Sequence, residues 1–77
     1  FQHQATAGNT SANETVIPNT TFANNATDLL IITPFWDGVY LNAPIGVYFS
    51  LGTWRIFRQD LGAMPIGAKF NVMVVKQ

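Results

Sequence analysis

Lys69-Phe70-Asn71-Val72-Met73-Val74-Val75 contains no glycine or proline and is rich in β-branched valine, so it reads as a β-strand. Side chains alternate across a strand, which sends Phe70, Val72 and Val74 to one face and Asn71, Met73 and Val75 to the other. A half-solvated strand would make its second face polar. Here Met73 and Val75 make it apolar too.

The doubling recurs in the segments that precede it. Thr53–Arg58 sets Trp54 and Ile56 against Phe57, and Ile45–Ser50 sets Val47 and Phe49 against Tyr48. Between them Leu51-Gly52 has the spacing of a tight hairpin, although Asn-Gly is the stronger signal. Asp28-Leu29-Leu30-Ile31-Ile32-Thr33 is a continuous apolar run that reads as a buried strand closed by Pro34, with a turn at Asp37-Gly38. Toward the N-terminus Phe1–Thr6 alternates loosely, Ala7-Gly8-Asn9 supplies turn chemistry, and Glu14–Ile17 stops at Pro18. No window carries a capped apolar repeat at helical spacing. The expectation is an all-β fold: a small antiparallel β-sandwich of about six or seven short strands, essentially without helix, and with Trp54 and Phe57 in its core.

The 77 residues make a single domain, 1–77, with an Asn/Thr-rich polar part over 1–27 and an apolar, strand-rich part over 28–77. Residues 1–27 carry one charge, Glu14, and the chain as a whole has four basic and four acidic residues and no cysteine. Disulfides and thiolate metal sites are excluded. Arg55, Arg58, Lys69 and Lys76 are too few for nucleic acid to be expected as a partner. The apolar run Leu29–Ile32 is too short to span a bilayer, so no membrane insertion is expected. A start at Phe1 suggests a processed chain whose terminal segments are held as strands.

Catalytic residues are not indicated. His3 is the one histidine, and Glu14, Asp28, Asp37 and Asp60 are scattered singly, whereas acid–base catalysis needs a positioned pair. His3 reads as a hydrogen-bonded packing residue, and Asp60 as a partner for its own loop or for Arg55 or Arg58. A calcium site at Asp37 or Asp60 lacks carboxylates. No metal or other cofactor is expected. Asn9, Asn13, Asn19 and Asn25 each open an N-x-[ST] sequon, so they are candidate glycosylation sites if a host modifies them, and turn or strand-edge residues otherwise.

Phe1 and His3, Thr33-Pro34 with Trp36, Gly38-Val39-Tyr40, Pro44-Ile45-Gly46-Val47, Trp54-Arg55-Ile56-Phe57-Arg58-Gln59-Asp60, Met64-Pro65-Ile66-Gly67-Ala68 and Phe70-Asn71-Val72 together resemble the pattern of an uncharacterised bacterial family of small extracellular domains, often tandemly repeated. Phe49 and Arg58 depart from that pattern. The resemblance implies a small secreted all-β module at the cell surface or in a matrix, with no established enzymatic role. A single copy could reach the same repetition by polymerising.

A two-layer domain has one inner face per sheet, so the second apolar set needs a covering segment, another copy of the chain, or a ligand. Residues 1–27 are available as cover. The leading expectation is a structural, non-enzymatic subunit of an extracellular self-assembling polymer, such as a filament, whose partners are copies of itself. Its candidate interface is Phe1, Tyr48, Phe57, Met73 and Val75, joined by face packing or by strand addition at Lys69–Gln77 or Phe1–Thr6. The alternative is a lectin-like module that stacks glycans on Trp36 and Tyr40.

Overall fold

The computed structural model describes residues 1–20 and 23–77. Seven strands carry the fold: β1 (Gln2–Gln4), β2 (Thr10–Ser11), β3 (Glu14–Ile17), β4 (Leu29–Phe35), β5 (Ile45–Ser50), β6 (Thr53–Arg58) and β7 (Lys69–Val75). They form two antiparallel sheets, β1-β7-β4 and β2-β3-β6-β5, and no described element is a helix. The all-β sandwich expected from the alternation is therefore the fold.

The inner faces are set by the register. Phe70 and Val72 are buried on β7, and Leu30 and Ile32 of β4 join them; the second sheet contributes Ile17, Trp54 and Ile56, with Val47 and Phe49 beside them. Ala5, Ala23, Met64 and Ala68 fill the ends of the core from loops. Phe49 packs edge-on against Trp54, with centroids 5.4 Å apart, and the Trp54 indole N–H donates to the Asn25 carbonyl at 3.1 Å. Phe57 lies on the opposite side of β6 from Trp54, so the expectation of Phe57 in the core is corrected: strand alternation permits only one of the two inside.

β4 also differs from its expected form. It runs through Pro34 to Phe35, and only its alternate residues Leu30 and Ile32 turn inward. Its place at a sheet edge explains the proline, which is tolerated where one side of a strand has no partner strand among the described residues, and the alternation follows from a sheet with a single inner face. The described strands of residues 1–27 do not lie over the sheets as cover. They extend the sheets, β1 beside β7 and β2-β3 beside β6. The two-residue β2 is too short to show alternation in the sequence.

His3 joins the sheets. It is buried, and its Nε2 lies 2.8 Å from the Thr15 hydroxyl on β3. That hydroxyl donates its one proton to Asn9 Oδ1 at 3.0 Å, so it accepts from His3, which is the neutral Nε2–H tautomer. Burial lowers the His3 pKa below its ordinary 6.5. At the far end of the second sheet Leu51 and Gly52 both have positive φ, 52° and 80°, as a type I′ hairpin requires.

Candidate assembly surface

The four acids and four bases of this chain pair one to one: Glu14 with Arg55, Asp28 with Lys76, Asp37 with Lys69, and Asp60 with Arg58. No charged side chain is left over. Arg58 grips Asp60 through two nitrogens, at 2.7 and 2.9 Å, and with the Gly62 amide it holds the Asp60 carboxyl down at about 2. Among the described residues no three His, Cys, Asp or Glu side chains gather as metal ligands, and no helix is long and apolar enough to cross a membrane.

The outer face of the first sheet is apolar at one end. Antiparallel pairing sets Leu29 opposite Val75 and Ile31 opposite Met73. The four side chains make a block in which Leu29 and Ile31 are each 54% exposed and Met73 59%. Phe1 flanks it. The Phe1 ammonium donates to the Val72 carbonyl at 2.9 Å and the Val72 amide donates to the Phe1 carbonyl at 2.7 Å, which pins the main chain of Phe1 beside a shallow depression that it lines with Ile31 and Met73. Farther along, Thr33 opposes Asn71, and Gln2 donates to Asn71 Oδ1 at 3.3 Å, so the middle of the face is polar. Strand β4 forms the outer edge of this sheet, uncharged over its whole length.

The second sheet's outer face is finished differently. The Tyr48 hydroxyl donates to one Glu14 oxygen at 2.7 Å and Arg55 to the other at 2.6 Å. Those two bonds, Tyr48 first, lower the Glu14 pKa, and the Glu14 carboxylate raises that of Tyr48. Tyr48 also meets Phe57 edge-to-face at 5.5 Å. The Phe57 ring lies over Gly46, where a Cβ would come within 2.5 Å of it.

The expected interface is thus divided. Met73 and Val75 lie on the first sheet's outer face with Phe1 at the margin of the depression there, while Tyr48 and Phe57 lie on the second sheet's and are partnered within the chain. Leu29 and Ile31 belong to the apolar block although the sequence reading placed them in a buried strand; matching their alternation to that of Met73 and Val75 is the signal that finds them. Strand addition at Lys69–Gln77 is narrowed: β4 pairs the whole of β7 on one side, while β1 with Phe1 pairs only Lys69–Val72 on the other, so among the described residues Met73–Val75 keeps one bare side, and the other bare edges of this sheet belong to β4 and the three-residue β1.

Trp36 and Tyr40, 68% and 69% exposed, come together on one groove with Phe35, Val39 and Leu41, and Lys69, the partner of Asp37, stands at its side. The groove holds about 130 Å³, whereas enclosing pockets for small molecules begin near 300 Å³. It is an open aromatic groove and not an enclosing pocket.

The sequon asparagines also separate. Asn9 and Asn13 donate their amide nitrogens to the Gln4 and Arg58 carbonyls, at 3.0 and 3.1 Å, while Asn19 and Asn25 are exposed.

A family model for a domain of unknown function, DUF7452, matches residues 1–74, and the chain belongs to that family. No curated protein and no solved structure matches it. The resemblance seen in the sequence holds at the level of an uncharacterised family.

Proposed function

We propose that this member of the DUF7452 family is a structural, non-enzymatic subunit of an extracellular polymer, a filament or surface array built from copies of itself. One observation carries the reading: Leu29, Ile31, Met73 and Val75 form an exposed apolar block that no described segment covers, in a chain whose charged side chains are all paired with one another. Burying such a block against a second copy removes apolar surface from water at about 25 cal/mol per Å². The bare β4 edge adds backbone donors and acceptors for register. A contact between two different patches does not close on itself unless its rotation permits, and so propagates as a fibre. Location outside the cell, a bacterial source and kinship to repeated surface domains are what the family resemblance implies.

Sedimentation of the purified chain, with negative-stain imaging of what pellets, tests the reading. Long regular particles are expected, and a chain that stays monomeric at every attainable concentration overturns it.

A second reading rests on a separate observation, the convergence of Trp36, Tyr40 and Phe35 on one groove beside Lys69. Rings with a polar rim suit stacking on the apolar face of a sugar, as in a small lectin-like module. Glycan-array binding by the chain, lost in W36A, is the result that favours it.

A further inference from the structure

We propose that Asn25 is the residue at which the folded chain accepts an N-linked glycan, from a glycosyl diphosphate donor. An acceptor asparagine needs an exposed amide nitrogen that the fold does not use and a hydroxyl two residues on that can reach its side chain. Asn9 fails the first condition. Its Nδ2 donates to the Gln4 carbonyl, and its Oδ1 accepts from the Thr6 amide at 2.7 Å, the Thr10 hydroxyl at 2.8 Å and the Thr15 hydroxyl at 3.0 Å. Asn13 fails both: its Nδ2 is bonded to Arg58, and the hydroxyl of its sequon belongs to Thr15, which is fully buried against His3. The sequon of Asn19 ends at residue 21, outside the described residues.

Asn25 meets both conditions. Its Oδ1 accepts from the Thr27 amide and the Thr27 hydroxyl, each at 3.0 Å, and among the described residues nothing bonds its Nδ2. The side chain is exposed while the backbone is pinned, because the Asn25 carbonyl receives both the Trp54 indole N–H and the Asp28 amide. The acceptor is therefore held on a fixed base. In the transfer Nδ2 attacks the anomeric carbon and a C–N bond forms. The anomeric C–O bond breaks with its electron pair leaving on the diphosphate, and one Nδ2 proton passes to a base of the transferase. The two donors on Oδ1 stabilise the negative charge that gathers there as that proton departs. The site lies at the end of the molecule where β4 begins and β7 ends, since the neighbouring Asn24 accepts from Lys76 at 3.1 Å.

The test incubates the folded full-length chain with a single-subunit oligosaccharyltransferase that accepts plain N-x-[ST] sequons, together with its lipid-linked oligosaccharide, and maps the products by peptide mass. Asn25 should be modified at a rate roughly tenfold or more above Asn9 and Asn13, whose bonds to the fold must first break. N25Q and T27A should lose that product and T27S keep it, and unfolding in urea before the reaction should bring Asn9 and Asn13 up to the Asn25 rate. A folded chain left unmodified at Asn25, whether or not Asn19 reacts, overturns the proposal, as does equal modification of Asn9 in the folded state.

Discussion

The two outer faces of this sandwich began from the same kind of sequence, strands apolar on both sides, yet they end in opposite conditions. On the second sheet Glu14 on β3 and Arg55 on β6 meet across the strands, and Tyr48 and Phe57 close over them. On the first sheet the outward charge is Lys69, at the far end of β7 and drawn toward Asp37, so Leu29, Ile31, Met73 and Val75 face water with no polar partner. Apolar residues on an outward face do not by themselves make an interface. What decides is whether the opposing strands supply charges to finish the surface.

The most forceful way to break the contrast is to give the first face a charge. M73E, or I31K opposite it, should leave a folded chain by circular dichroism that no longer sediments as a polymer, whereas an uncharged polar change on the second face, S50N, should leave assembly intact. Polymers that persist in M73E would place the contact elsewhere and make the two faces equivalent.

Acid probes the link between the faces. Because burial lowers the His3 pKa, the unfolded chain takes up a proton at its ordinary 6.5 while the folded chain still excludes it. Stability from this group is complete above pH 6.5 and is lost as pH falls from there toward the lowered folded value. Urea midpoints should fall over that window, and H3Q should flatten the slope. An unchanged slope would separate the inter-sheet hydrogen bond from the acid response.

Removing the finish from the second face should cost less. Y48F deletes one exposed hydrogen bond to Glu14 and should lower stability by about 1 kcal/mol, read by urea unfolding, with assembly unaffected. Should Y48F start new association, the polar cover would be shown to act against it. The smallest change is at the hairpin tip. Leu51 is 88% exposed and left-handed, so L51N should raise stability by up to about 1 kcal/mol, visible as a higher urea midpoint.

Much of this was legible in the chain because it is local. The bounds of β5, β6 and β7 follow from alternation and turn residues, and so does the division of Phe70, Val72 and Val74 from Met73 and Val75. Trp36 and Tyr40 line one groove because one short loop carries both. Sheet order is not local. β7 is central because it pairs with β1 from the opposite end of the chain, and no nearby residue announces that. The partition of Phe1, Tyr48 and Phe57 between two faces, and the exposure of Leu29 and Ile31, depend on that order. So does the fate of Asn9, which looks like any turn asparagine until Thr15 is folded against it.

The one-to-one pairing of charges also determines how copies of this chain approach one another. With each acid held by a base within the same molecule, the external field is a set of short opposed dipoles that fades within a few ångströms, less than the roughly 10 Å screening length of 0.1 M salt. Added electrolyte then has little long-range repulsion to screen and little attraction to weaken. Association through the apolar block should be nearly indifferent to ionic strength and should respond to temperature, so that it loosens in the cold, as contacts driven by water release do.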